Sequence, residues 1–143
     1  MRRDSSETKR KILTVCVRLF LEQGYKNTSV SQIVDEAGVA RGSYLNLFPT
    51  KDRILLVLAE TMFNGQFNAA KSVADRNLPP VCVYAVETAI QLTLTELNEN
   101  LREIYIEAYS SPDTSEYIYL HTTAELKQIF GSNFPEYAES DFY

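Results

Sequence analysis

Between Asp35 and Arg53 the chain reads DEAGVARGSYLNLFPTKDR, and two residues in that stretch leave little choice of conformation. Gly38 follows a short apolar-periodic run, Val30, Ile33, Val34 and Ala37, and is the residue type that takes the left-handed conformation ending a helix without a Cβ penalty. Eleven positions later, Pro49 cannot continue a helix and disfavours helical geometry at Phe48. A helix therefore fits only between about Arg41 and Phe48. The preceding helix has its own start signal, the capping box Ser29-x-x-Gln32, in which the serine accepts from the Gln32 N–H and the glutamine reaches back. Two short helices joined by a glycine-containing turn have the sequence form of a helix-turn-helix.

The flanking segments supply what such a motif needs for a core. Asp4-Ser5-Ser6-Glu7 offers a cap, after which Ile12, Val15, Cys16, Leu19 and Phe20 recur at helical spacing as far as Gly24. Tyr44 and Phe48, four apart, share a face and are expected to pack against Ala37 and the first helix. That leaves Arg41, Gly42, Ser43, Asn46 and Leu47 outward. Thr50 can cap a fourth helix from Lys51 to about Arg76, with Ile54, Leu55, Leu58, Met62 and Phe63 as its apolar stripe and Gly65 as a candidate bend. NLPP at 77–80 breaks the pattern, and helical segments follow at about 81–98, 101–110 and 114–130. No strand alternation and no internal repeat interrupts this reading. The expected class is all-α, with a three-helix helix-turn-helix module over residues 1–50 and a further helical region over 51–143.

Net charge is −5, which on average argues against a polyanion partner, but the charge is divided unevenly. Residues 1–53 hold ten Lys/Arg against six Asp/Glu, and the remaining 90 residues hold four against thirteen. A basic module joined to an acidic one fits nucleic-acid contact at one end and a different task at the other. The longest wholly apolar run, Ile54 to Ala59, is far short of a membrane helix, which needs roughly 20 residues. The start, MRRDSSETKRK, does not read as a signal peptide, so a cytoplasmic protein that does not engage membranes is the expectation. Cys16 and Cys82 lie in apolar helical patterns without CxxC spacing and are expected to be reduced, buried thiols.

The first 55 positions resemble the DNA-binding domain of the tetracycline-repressor (TetR) family of bacterial regulators. The matching marks are Phe20 and Gly24-Tyr25, Thr28-Ser29-Val30 and Ile33, Ala37-Gly38-Val39, Gly42-Ser43, then Phe48, Thr50-Lys51 and Leu55. The resemblance covers a little over a third of the chain. It departs from the family pattern in three ways: Ala40 stands where Ser or Thr is common, Tyr44-Leu45 reverses the usual order of an aliphatic or Phe followed by Tyr, and Leu47 replaces His or Tyr. Family chains also commonly approach two hundred residues and end in a helix pair that dimerises. By that comparison the regulatory region is short at the C-terminus, as in a truncated product or a short variant.

The resemblance implies a homodimer that binds a double-stranded, palindromic DNA operator and, as a repressor, is released by a small-molecule inducer of unidentified structure. Base and phosphate contacts would fall to Thr28, Ser29, Arg41, Gly42, Ser43, Leu45, Asn46, Leu47 and Lys51, with Arg2 and Arg3 as a minor-groove arm. The fourth helix would carry the signal from ligand to DNA. Aromatic and polar residues at helical spacing, Tyr84, Thr88, Gln91, Tyr105, Tyr109 and His121, with Glu125 one turn beyond the histidine, are the candidate ligand set. No cofactor is expected. His121 has no Cys or Ser partner motif, and GxSxG, HExxH and a glycine-rich phosphate loop are all missing from the sequence, so neither catalytic residues nor metal ligands are assigned. The competing reading is a helical interaction protein, in which Leu45 and Leu47 make the third helix a protein-contact surface.

Overall fold

The computed structural model describes residues 2–73, 78–138 and 141, with side chains placed from Ser5 onward. Seven helices follow one another among the described residues: α1 Arg2–Gln23, α2 Val30–Ala37, α3 Arg41–Leu47, α4 Lys51–Val73, α5 Val81–Leu97, α6 Glu99–Ser110 and α7 Pro112–Phe130. The described residues contain no strand, so the all-α expectation holds. The Arg2–Arg3 arm and the last turn expected for α4, near Arg76, lie outside the described side chains and residues, as does Asn77 of the NLPP break.

Local signals fixed the helix ends around the turn. Ser29 is the extended N-cap of α2, and its Oγ accepts the Gln32 N–H at 3.1 Å. Gln32 does not reach back as the capping box predicts: its amide is held by Gln23 and Glu36. Gly38 takes φ 62°, the left-handed well, and the Val39 N–H closes on the Val34 carbonyl at 3.2 Å. Phe48 has left helical geometry at φ −134°, as a residue before proline should, so α3 stops one residue earlier than expected. At the other end, α1 begins at Arg2, upstream of the expected Asp4 cap.

The core is continuous from α1 to α7. Ile12, Cys16, Leu19 and Phe20 of α1 meet Ile33 of α2, Tyr44 of α3 and Phe48, and these join Ile54, Leu55, Ala59 and Phe63 of α4, then Ile104, Tyr105 and Ala108 of α6 and Ile118 of α7. Burial of side chains of this size stabilises by roughly 1.5–3 kcal/mol each. Tyr44 packs as expected, fully buried with its ring 6.0 Å from that of Phe48. The helix α4 is the spine: it lies against α5, α6 and α7 while its first turns close the core beneath α1. It runs through Gly65 as one helix, and that glycine faces open space at a cavity wall. Cys16 is buried with its thiol pushed up to about 12 by desolvation, whereas Cys82, expected to be buried, is only half-buried; both are free.

α5 departs most from its sequence pattern. Although VCVYAVETAIQLTLTEL is largely apolar, its one buried residue is Glu87. Val81, Tyr84 and Leu92 are exposed.

Candidate nucleic-acid interface and cavity

The seven residues of α3 are held from behind by Tyr44 and Phe48, and this anchoring decides what faces outward. Arg41, Gly42, Ser43, Leu45 and Asn46 are exposed on one short helix, about 10 Å long at 1.5 Å per residue. Arg41 extends across the turn, its guanidinium donating to Ser31 Oγ at 3.3 Å. Ser29, exposed at the amino end of α2, borders the same surface. Leu47 does not: it is half-buried and packed against the core, because it follows Tyr44 by three positions on the inward side.

Two other expected contact residues are committed to the interior. Thr28 is 2% exposed, and its hydroxyl donates to the Gly24 carbonyl at 2.8 Å while accepting from Gln23 at 3.2 Å. It tightens the α1–α2 loop and leaves no free hydroxyl for a phosphate. Lys51 turns back from the start of α4, donates to the Tyr25 carbonyl and sits 3.9 Å from the Tyr25 ring centroid. Burial holds its pKa below the ordinary lysine value, with Glu103 the largest opposing influence. Beside it, the Tyr25 hydroxyl donates to Asp52 at 2.8 Å, so loop and helix are pinned twice.

Several of the basic residues that make the amino-terminal segment cationic are neutralised by partners. Arg18 pairs with Glu36 and Glu22, Lys11 with Glu7, and Lys26 with Glu107 of α6 at 2.7 Å. Arg41 has no ion-pair partner among the described residues.

The Lys26–Glu107 pair belongs to a seam between the loop and α6. Asn100 donates its amide to the Leu21 carbonyl at 2.8 Å, satisfying a terminal carbonyl of α1. Gly24, at φ 90°, lies so close to α6 that a Cβ there would fall 2.6 Å from Glu103 Oε2. Asn100, Glu103 and Glu107 recur at helical spacing and so form one face of α6. Its other face bears Tyr105, 4% exposed, whose hydroxyl accepts from Gln66 of α4.

That second face closes a cavity of about 340 Å³ between α4, α5 and α6, lined by Thr61, Met62, Gly65, Gln66, Ala69, Ile90, Leu94, Leu101 and Tyr105. Of the six ligand residues expected from sequence, only Tyr105 lines it. Tyr109 is exposed, with its ring 6.0 Å from Phe63, and Gln91 reaches its hydroxyl at 3.4 Å. Tyr84 is exposed and Thr88 half-buried. His121 is elsewhere, stacked on Tyr117 at 5.5 Å and edge-on to Phe67, with its pKa lowered chiefly by burial. Glu125 pairs with Lys71. Gln66 and Glu87, both buried, were missed by the sequence reading because helical periodicity assigns polar residues to solvent. A larger open groove of about 560 Å³ runs between α1 and α4, bounded by Lys9, Arg10, Leu13, Val17, Val57 and Leu58. No group of three potential metal ligands occurs among the described residues, and no helix there is long and apolar enough to cross a membrane.

This arrangement is that of a bacterial helix-turn-helix regulator fold, and comparison with known proteins agrees. Residues 12–58 match the family model described as bacterial regulatory proteins, tetR family. Over the whole fold the chain is similar to a crystal structure described as a transcriptional regulator (TerR/AcrR family) from Aquifex aeolicus VF5, with a TM-score of 0.58 and 21% identity, covering 94% of this chain and 78% of that one. Among curated proteins of Bacillus subtilis (strain 168), it is 40% identical to the uncharacterized HTH-type transcriptional regulator YxaF over 95 residues, which are 63% of this chain and 49% of that protein. It is 28% identical to the uncharacterized HTH-type transcriptional regulator YuxN over 97 residues, 68% of this chain and 31% of that protein. The chain thus spans less than half the length of these curated relatives. Over residues 12–58 it is similar to the tetR family of bacterial regulatory proteins.

Proposed function

We propose that this chain is a ligand-responsive, sequence-specific DNA-binding transcriptional regulator, acting as a homodimeric repressor that a small-molecule effector releases. The observation that carries the reading is α3 itself: Tyr44 and Phe48 are buried, and Arg41, Gly42, Ser43, Leu45 and Asn46 stand exposed in one row. A major groove about 12 Å wide admits a helix and presents a distinct donor and acceptor pattern for each base pair. Arg41 fits a guanine edge or a phosphate, and Asn46 an adenine. Gly42 and Ser43 let the backbone approach, and Leu45 offers an apolar contact of the kind a thymine methyl accepts. Ser29, at the amino end of α2, suits a phosphate, where free N–H groups and the helix dipole favour anions. Thr28, Leu47 and Lys51 instead hold the module together.

The division of labour falls near the start of α4, with residues 1–50 meeting DNA and residues 51–143 sensing the effector in the cytoplasm. No catalytic role is assigned. The seam of Gly24, Asn100, Glu103 and Glu107, together with α4, joins the cavity wall to the DNA module. An effector shifts the balance only by its differential affinity for the two arrangements. In a dimer, recognition helices about 34–36 Å apart would enter successive major grooves of a palindromic site. Exposed Leu45 favours a protein partner as the second reading, but Leu47, packed inward, no longer supports it.

Fluorescence anisotropy on DNA from upstream of the chain's own gene separates the two. Specific binding that weakens steeply with salt and is lost in Arg41→Ala/Asn46→Ala supports the regulator. Salt-insensitive behaviour, or binding unchanged in the variant, rejects it.

A further inference from the structure

No charged side chain is among the described residues that line the cavity between α4, α5 and α6. Met62 and Ala69 of α4, Ile90 and Leu94 of α5 and Leu101 of α6 make an apolar wall, and Thr61 donates its hydroxyl proton to the Val57 carbonyl at 2.9 Å. One polar point remains, where Gln66 meets Tyr105. Gln66, 5% exposed, donates its amide N–H to the Tyr105 hydroxyl, and its Oε1 is buried without a hydrogen-bond partner among the described residues. Tyr105 accepts that bond and donates none among the described residues. Burial raises its pKa above the ordinary phenol value, so it keeps the proton it has to give. One acceptor and one donor are thus left side by side in the cavity wall. Turned over about its last bond, the amide would accept from Tyr105 and present an unpaired N–H beside a phenol oxygen able to accept, so either rotamer leaves such a pair.

A buried polar group without a partner is costly, and a ligand that satisfies it is favoured over one that leaves it unpaired. A charged ligand would give up its hydration among apolar side chains without meeting an opposite charge. We infer that the effector is an uncharged, largely apolar molecule with one group that both donates and accepts, a hydroxyl or an amide, seated between Gln66 and Tyr105. This rests on the reading of the cavity as the effector site. At about 340 Å³ the cavity is near the lower end of small-molecule sites, which run from roughly 300 to 1,000 Å³, so one ring with a short chain suits it.

The test is calorimetric titration of the full chain with four probes that differ at one end: 4-phenylbutan-1-ol, pentylbenzene, 4-phenylbutylammonium and 4-phenylbutyrate. The inference expects the alcohol to bind most tightly, at least tenfold above either charged probe, and the ratio of alcohol to pentylbenzene affinity to fall at least tenfold in Gln66→Leu. It also expects Gly65→Leu to abolish binding of the alcohol. Gly65 lines the cavity with open space where a side chain would stand, and leucine fills that space in a helix that prefers it to glycine. Pentylbenzene binding the unaltered chain as tightly as the alcohol, or a ratio unchanged in Gln66→Leu, overturns the hydrogen-bonding assignment. Tighter binding of either charged probe overturns the neutrality. Both results leave the cavity standing as the effector site while Gly65→Leu still blocks binding, whereas alcohol binding undiminished in Gly65→Leu takes the effector reading down with the inference. If none of the four binds, the inference falls, and the DNA titration with Arg41→Ala/Asn46→Ala decides the regulator reading on its own. Should Gln66→Leu fold poorly, the order of the four probes on the unaltered chain decides the question.

Discussion

Removing a tyrosine hydroxyl should move stability in opposite directions at two positions in the same module. Tyr44 is fully buried, and its hydroxyl has no hydrogen-bond partner among the described groups. Burial, with a smaller contribution from Cys16, pushes the phenol up to about 12. An unpaired buried polar group costs about 1–3 kcal/mol. Deleting the oxygen opens roughly 10 Å³, a penalty near 0.2 kcal/mol at about 24 cal/mol per Å³. Tyr44→Phe should therefore gain about 1 kcal/mol or somewhat more. Tyr25, by contrast, is 6% exposed and donates to the Asp52 carboxylate at 2.8 Å. A hydrogen bond to a charged group contributes about 1.5–3 kcal/mol, so Tyr25→Phe should lose about that much. For 143 residues the unfolding entropy is about 0.3 kcal/mol/K, which makes 1 kcal/mol worth about 3 °C. Calorimetry and urea titration on the two variants should give a melting point up by about 3 °C for Tyr44→Phe and down by about 5–10 °C for Tyr25→Phe. A Tyr44→Phe variant that loses 1 kcal/mol or more would refute the reasoning, because it would mean that the buried hydroxyl is satisfied.

Gly38→Ala should cost about 1 kcal/mol from its left-handed backbone alone, since a Cβ there meets nothing within 4 Å. Gly24→Ala should cost measurably more by urea titration, and Glu103→Ala in the same chain should recover the excess, because Glu103 is what the new methyl would strike. Asn100→Ala should lower stability by about 0.5–1.5 kcal/mol, a drop of roughly 2–5 °C, by uncapping the Leu21 carbonyl. Burial raises the pKa of Glu87, so its protonated form favours the fold; that contribution is complete below the ordinary carboxylate value and fades as pH rises through the raised one. Glu87→Gln should accordingly melt above the unaltered chain at pH 7, with the advantage vanishing when the scans are repeated below pH 4.5.

What sequence could show here was whatever short-range chemistry decides. Ser29, Gly38 and Pro49 act on their immediate backbone neighbours, so the ends of α2 and α3 were legible within a residue. The fate of Thr28 and Lys51 was not. Lys51 is captured by a carbonyl 26 residues away, and Thr28 by a loop whose shape depends on Gly24 lying against α6. Leu47 was assigned outward because Tyr44 and Phe48 were taken to define the whole inward face, whereas Leu47, three positions after Tyr44, also packs against the core. The cavity was least legible. Along α5 eleven of the seventeen positions are apolar and lie on every side of the helix, so periodicity says little about facing, and the residue chosen for burial was the carboxylate. Gln66 was likewise hidden, because its burial is set by Tyr105 from a helix 39 positions on.

The central claim is that the exposed row of α3 is the surface that reads DNA. Amide hydrogen exchange of the chain, free and saturated with DNA from upstream of its own gene, tests it most directly. The account predicts slowed exchange confined to residues 29–31 and 41–50 and an unchanged rate along the exposed flank of α5. Protection concentrated on α5 or α7 with residues 41–50 unaffected would contradict it.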